Sequence, residues 1–318
     1  MEKMRAMIIE KFGDPSVLKE SSLEIPSPQE DEILVKVYAA SFNPADAAAR
    51  NGDFGKLINL QRPRILGVDV AGEVVKSGEN AHKYSTGDRI YSYLSIKENG
   101  AYAEYVVLKE KDADFMPQNL TFTEAASLPL TSLTAYQGIY ELGELKEEEH
   151  ILIHGATGGV GVMAIQLAKL KYARIAGTAS TDTIDVLYDL NIDQIIDYKK
   201  ENPLDVIKEK LDLIYNLAPL KDEKMRALFT LLKDDGRFVS TTGIPEDSEN
   251  IIRIKVISEQ AKRGGERLHK ISELVNQGKL TPRISSTWKF EDIPKVHQLH
   301  EDGKLHGKAV FEISEPAD

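Results

Sequence analysis

The segment Ile151-Leu152-Ile153-His154-Gly155-Ala156-Thr157-Gly158-Gly159-Val160-Gly161 limits what this chain can fold into more than any other. An apolar, strand-like run stops at a glycine-rich turn, and Val160, Ala164, Leu167 and Ala168 then recur at helical spacing. Gly155 or Ala156 permits the tight turn, Gly158 lets the backbone approach a pyrophosphate, and Gly161 lets helix and strand pack closely. The first N–H groups of the helix, at the positive end of its dipole, would face the phosphates. A buried strand–helix corner can need the same residues. The strand before and the helix after favour a dinucleotide site instead, held by Gly158, Gly159 and Val160.

The rest of the chain supports such a site. Residues 1 to about 120 read as short strands between turns: Ile33–Tyr38, Val70–Val75, Gly87–Tyr91 and Tyr102–Val107, punctuated by Pro26, Pro28, Gly52, Gly67 and Gly78. After Pro117 strands and helices alternate. Strands are expected at Ile151–Ile153, Arg174–Thr178, Gln194–Asp197, Leu211–Leu217, Arg237–Thr241 and Ile251–Ile257, with helices near 160–171, 183–190, 203–210 and 223–233. That alternation predicts parallel βαβ units and a doubly wound sheet. A helix near 261–277 and strands around 281–288 and 308–313 return the chain to its β-rich first unit.

Composition removes several function classes. With 318 residues the chain can form two cores. Its net charge of −11 disfavours nucleic acid or an anionic membrane as partner. No transmembrane-length apolar run and no signal-peptide core are visible, so a cytoplasmic location is expected. Cysteine is absent, which excludes disulfides, thiolate catalysis and any Cys-ligated zinc.

With these residues, the chain resembles the medium-chain dehydrogenase/reductase superfamily in its zinc-independent, quinone oxidoreductase-like branch. The resemblance rests on Ser41-Phe42-Asn43-Pro44-Ala45-Asp46 with Arg50-Asn51-Gly52, on Gly67-Val68-Asp69-Val70-Ala71-Gly72, and on Gly100–Tyr105. It continues through Ala125–Tyr136, the glycine turn and His306-Gly307-Lys308-Ala309-Val310. It implies an α/β chain with a GroES-like β-rich catalytic domain (1–121 and 259–318) and a doubly wound Rossmann domain with a parallel sheet (122–258). The positions matching the ligands of zinc-dependent relatives are Asn43, Val68 and Leu130, which form no zinc set. His297 and His300, near Glu301 and His306, share a helical face but lack a third ligand. His154 reads as a satisfied strand end and Trp288 as core.

An NAD-preferring fold usually places an acidic residue after its second strand. Here Ser180 stands there, which favours NADP(H) over NAD(H), while Asp182 would favour NAD(H) if it reached the ribose. The resemblance implies Tyr198 near the adenosine phosphate and Thr134 near the nicotinamide. It also places Asn216, Ala218, Thr242 and Gly243 along the cofactor, and Val256 and Ser258 at the carboxamide.

The implied reaction is NAD(P)H-dependent hydride transfer to a quinone or an α,β-unsaturated carbonyl, in a cleft between the two domains. Such an acceptor needs only hydrogen-bond support at its oxygen. Asn43 is the expected substrate contact, although its side chain could equally cap the turn before Pro44. Asp46 is expected to order that turn. A tyrosine that some quinone-reducing relatives carry is replaced by Ala48. The alternatives are an alkenal or enone reductase with little quinone activity, and a non-catalytic NADPH-binding interaction protein. A homodimer pairing through 251–257 is expected.

Overall fold

The computed structural model describes residues 2–54, 63–245, 248 and 264–315. The chain divides into two compact units, Met1–Leu130 with Lys262–Asp318, and Thr131–Ala261.

The first unit opens with strands β1 (Lys3–Ile9), β2 (Lys19–Glu24) and β3 (Glu32–Ser41), then helix α1 (Pro44–Asn51). Next come β4 (Arg64–Ile65), β5 (Asp69–Ser77), β6 (Arg89–Tyr93), β7 (Tyr105–Lys109), β8 (Ala113–Phe115) and α2 (Phe122–Ala126). Strand β1 lies antiparallel between β2 and β4. Strand β3 is the hub of the larger sheet, pairing antiparallel with β5 and β7. Because it has neighbours on both sides, its residues are buried almost continuously rather than alternately. Ile33, Val35, Val37, Val70, Val74, Ile90 and Phe311 form the core, each buried side chain contributing about 1.5–3 kcal/mol.

Helix α3 (Pro129–Tyr136) runs into a π-helical turn, Gln137–Leu142. The second unit continues with β9 (His150–His154), α4 (Gly159–Lys169), β10 (Arg174–Ala179), α5 (Asp185–Asp189) and β11 (Gln194–Asp197). It then adds α6 (Pro203–Val206), β12 (Leu211–Asn216), α7 (Asp222–Phe229) and β13 (Leu232–Ser240). Its five strands are all parallel, in the order β11-β10-β9-β12-β13. Chain order therefore reverses at β9, the strand that feeds the glycine turn, where doubly wound sheets bind ligands. The expected sixth strand, 251–257, lies outside the described residues.

Element types follow the sequence pattern, and some boundaries move for local reasons. Strand β13 starts at Leu232 rather than Arg237, because Lys233–Gly236 make an excursion between two paired stretches. Helix α7 accordingly stops at Phe229. Helix α6 ends at Val206, since Ile207 has extended backbone.

The chain then returns to the first unit through α8 (Gly265–Asn276), β14 (Ser286–Lys289), α9 (Ile293–Glu301) and β15 (Ala309–Glu312). Strand β15 pairs antiparallel with the end of β3, Val310 opposite Ser41. This register puts Lys308 beside Phe42 and Asn43. Trp288 sits at the margin of the core, with its indole N–H on Ser286 Oγ at 2.8 Å.

Candidate active site

In the second unit the turn after β9 has the shape its residues predict. Gly155 has φ of +85°, a left-handed conformation that favours glycine. Its N–H donates to Thr178 Oγ1 at 2.9 Å, and that of Ala156 to Thr178 O at 3.0 Å, which fastens the turn to β10. A Cβ at Gly161 would lie 2.5 Å from Ala156 O, so only glycine lets α4 approach the turn this closely. At Gly158, the N-cap of α4, the nearest atom to such a Cβ is Gly155 O at 3.6 Å. Open space therefore lies beside Gly158, and the N–H groups of the first turn of α4, those of Gly159 and Val160 among them, have no acceptor within the helix. A pyrophosphate fits there.

Along the carboxyl edge of the same sheet a chain of polar side chains is ordered. Asn216 Oδ1 lies 2.7 Å from His154 Nδ1, and its amide donates to Ser240 Oγ and Thr242 Oγ1, both at 3.0 Å. Both amide hydrogens are thus used, so Oδ1 must accept and His154 carries its proton on Nδ1. Burial holds the imidazole below its usual pKa, against the opposing effect of Asn216. Thr242 Oγ1 also donates to Ala218 O at 3.4 Å. Gly243 follows with φ of +98° and open space beside it. Thr134 is fixed through its backbone carbonyl, which accepts from the Tyr215 hydroxyl at 2.9 Å.

At the end of β10, Ser180 Oγ is 3.1 Å from Thr183 Oγ1, and Thr183 is 3.1 Å from Thr157 Oγ1 in the glycine turn. Asp182 is exposed. The buried Asp197 carboxylate accepts from Thr181 Oγ1 at 2.6 Å, from Lys199 N at 3.0 Å, and from Lys200 Nζ at 3.1 Å. Those bonds hold it ionised, the Thr181 hydroxyl most of all. Tyr198 is 49% exposed, with Lys199 Nζ 5.3 Å from its ring centroid.

The first unit contains a buried polar cluster. Asn43 begins α1, and its N–H donates to Asp46 Oδ2 at 2.9 Å. The other Asp46 oxygen accepts from Val68 N at 3.1 Å. Asp46 therefore orders the turn, as its position suggests. Burial, then the charge of Asp69, pushes its pKa up to about 7. Asn43 stands in a capping box with Asp46, but its side chain makes its hydrogen bonds away from the helix: Oδ1 accepts from Lys308 Nζ at 2.7 Å and Nδ2 donates to Asp69 Oδ2 at 2.9 Å. Asp69 also accepts from Ser41 Oγ at 2.7 Å and Leu130 N at 2.8 Å.

Residues 29–118 match the family described as alcohol dehydrogenase GroES-like domain, and residues 190–311 match zinc-binding dehydrogenase. A 2-methylene-furan-3-one reductase of Solanum lycopersicum is 34% identical over 97% of this chain and 79% of its own length. The NADPH-dependent alkenal/one oxidoreductase of Arabidopsis thaliana, a chloroplastic protein, matches to the same extent. The structure of the quinone oxidoreductase from Coxiella burnetii superposes with a TM-score of 0.89 at 32% identity, over 98% of this chain and 100% of that one. The chain belongs to the quinone oxidoreductase-like branch of the medium-chain dehydrogenase/reductase superfamily. The α/β architecture and the family expected from the motifs are both correct.

One of the matching family descriptions includes zinc, and the residues here do not fit that metal. At the three ligand-equivalent positions stand the Asn43 carboxamide, already bonded on both sides, and the alkyl side chains of Val68 and Leu130. Among the described residues no group of three His, Asp or Glu could hold a metal ion. His297 and His300 pack against Phe42, with ring centroids 4.8 and 5.0 Å away. Neither nitrogen of His297 has a hydrogen-bond partner among the described residues. Val256 and Ser258 lie outside the described residues. Sequence reasoning missed the Lys308–Asp69 pair: both residues stand in motifs that carry the resemblance, but nothing in their spacing joins them.

Proposed function

We propose that this chain is a zinc-independent, NADPH-dependent oxidoreductase that transfers hydride to a quinone or an α,β-unsaturated carbonyl. The open helix start at Gly158, at the switch point of the parallel sheet, carries this reading. The bound nicotinamide would supply the hydride. Gly158, Gly159 and Val160 would hold the pyrophosphate; Thr134, Thr242 and Gly243 would line the nucleotide, with Val256 and Ser258 at its carboxamide. Asn43 has one amide hydrogen on Asp69 and a second to offer the acceptor's oxygen, where negative charge develops as hydride arrives at carbon. The relatives' names, NADPH-dependent alkenal/one oxidoreductase and quinone oxidoreductase, support this acceptor class.

Selection of NADP(H) follows from what surrounds Ser180. Among the described residues the buried carboxylate nearby is Asp197, which is paired with Lys200 and hydrogen-bonded to Thr181, and this engagement argues against its serving as the ribose acceptor of an NAD enzyme. Lys199 provides positive charge for a 2′-phosphate beside Ser180 and Tyr198, offsetting part of the acidic stretch after β10. A two-domain division at 1–121 with 259–318 and 122–258, a homodimer pairing through 251–257 and a cytoplasmic location complete the reading.

The test is oxidation of NADPH and NADH, followed by absorbance, with 1,4-naphthoquinone and methyl vinyl ketone as acceptors. Turnover with NADPH and either acceptor is expected. Tight NADPH binding without oxidation by any electron-poor carbonyl would instead identify a non-catalytic nucleotide-binding protein.

A further inference from the structure

Lys308 and Asp69 form an ion pair at 3.0 Å, with side chains only 4% and 0% exposed. Two charges this deeply buried are a costly way to hold a fold together, since well-packed apolar residues of similar volume often serve as well. Their hydrogen bonds give them another use. An ammonium has three donors, and all three are committed: to Asp69 Oδ2 at 3.0 Å, Asn43 Oδ1 at 2.7 Å and Phe42 O at 3.2 Å. Lys308 thus has no proton left to give a substrate. The Asp69 carboxylate is engaged on both oxygens in turn, Oδ2 accepting from Ser41, Asn43 and Lys308 and Oδ1 from the Leu130 N–H.

Between these two groups the Asn43 amide can adopt one orientation only. Its oxygen faces a group that only donates, and its nitrogen faces an ionised carboxylate that only accepts. A flipped amide would set like against like on both sides. One N–H is thereby bound to Asp69, and the second has no acceptor among the described residues. Ammonium contact at Oδ1 also draws electron density from the nitrogen, which makes that second N–H a stronger donor.

We infer that Lys308 and Asp69 are positioning residues for the reduction: their ion pair locks and polarises the Asn43 carboxamide so that its second N–H serves the acceptor's oxygen. The inference rests on the reading of Asn43 as the substrate contact. It adds the residue just before the closing strand to the site and explains why a buried lysine stands there.

A double-mutant cycle tests it, with NADPH as donor and 1,4-naphthoquinone or methyl vinyl ketone as acceptor. Lys308→Met should lower kcat by about tenfold or more, one hydrogen bond's worth or above, and leave the NADPH Kd within about twofold of wild type. Lys308→Arg, which keeps the charge, should restore most of the loss. In an Asn43→Ala background the Lys308→Met change should cost nothing further, because the amide it acts through is gone. If Lys308→Met does not fold, Asp69→Asn/Lys308→Met leaves no unpaired buried charge and replaces it in the cycle.

Equal losses from the lysine change in both backgrounds would overturn the inference, as would wild-type kcat in folded Lys308→Met. In either case an impaired Asn43→Ala enzyme would leave the substrate contact standing. Wild-type turnover by Asn43→Ala would instead remove the reading of Asn43, and this inference with it.

Discussion

The Tyr215 hydroxyl donates to the backbone carbonyl of Thr134 at 2.9 Å, tying the end of β12 to the helix that precedes the π-helical turn. The tyrosine is fully buried, and burial pushes its pKa far above the usual range, so it stays a donor. Gly138 lies against the same ring: a Cβ there would sit 2.2 Å from Tyr215 Cζ. Tyr215→Phe removes this bond to the Thr134 carbonyl, and a loss of about 0.5–1.5 kcal/mol is expected in urea unfolding. Because Thr134 is read as a nicotinamide neighbour, the NADPH Kd should rise as well. Gly138→Ala should cost about as much or more through overpacking. Wild-type unfolding curves for both variants would show that this contact holds nothing.

Two glycines of the phosphate turn should fail in different ways. At Gly161 a methyl group meets the Ala156 backbone at 2.5 Å, so alanine must shift α4 and should lower both stability and NADPH affinity. At Gly158 the methyl group meets nothing closer than 3.6 Å, and the backbone (φ −72°) suits alanine. Gly158→Ala should therefore melt near the wild-type temperature yet bind NADPH at least about tenfold more weakly, ~1.4 kcal/mol. Unimpaired NADPH titration of Gly158→Ala would remove the pyrophosphate from this turn.

These two glycines also mark what the sequence makes legible. An apolar run, a glycine cluster and a 3.6-residue period identify β9, the turn and α4 because each is a local pattern with a local cause. The start of β13 is not local in that sense. Lys233-Asp234-Asp235-Gly236 reads as a turn, and only pairing with β12 makes the flanking residues one strand. The Lys308–Asp69 pair is harder still, because 239 residues separate partners that meet only when β15 joins β3. Asn43 shows an intermediate case. Its motif marked it as a capping or substrate residue, but its side-chain partners are the first residue of β5 and the residue just before β15.

Nucleotide preference should respond to one residue. Ser180→Asp puts a carboxylate where the 2′-phosphate is read to lie, with a repulsion on the order of 1–3 kcal/mol in a partly screened site. The ratio of kcat/KM for NADPH over NADH should fall roughly ten- to hundredfold. An unchanged ratio would place the 2′-phosphate elsewhere.

Asp46 should make the first unit less stable as pH rises. Its folded pKa is raised to about 7 from the ordinary 3.8. Between those values the native state binds the proton and the unfolded state does not, so stability falls as pH climbs through that window. Asp46→Asn removes the titration. The stability of wild type relative to Asp46→Asn should decline from pH 4 to pH 7 and level off above about pH 8, as read from melting temperatures (the pH limits follow from the two pKa values). A difference that grows in the wild type's favour over that range would mean the carboxylate is the form the fold prefers.

His297 should act in the opposite sense on the acid side. Burial, then the nearby Arg50 charge, then His300, hold its pKa down to about 3, against 6.5 ordinarily. Arg50 is itself fully buried and paired with Glu301, and a charged imidazole would have to form beside it. From about pH 6.5 down to 3 the unfolded chain binds a proton that the native state refuses, so stability is lost as pH falls across that interval. His297→Phe keeps an aromatic edge toward Phe42 and Tyr102 and has no ring nitrogens to leave unsatisfied. Its melting temperature should equal or exceed that of wild type at pH 7.5, and its advantage should widen steadily below about pH 6.5. Urea unfolding of both proteins at several pH values measures this directly. Parallel stability curves down to pH 4 would mean that the histidine is already protonated in the native state, or that it finds a partner when it becomes so.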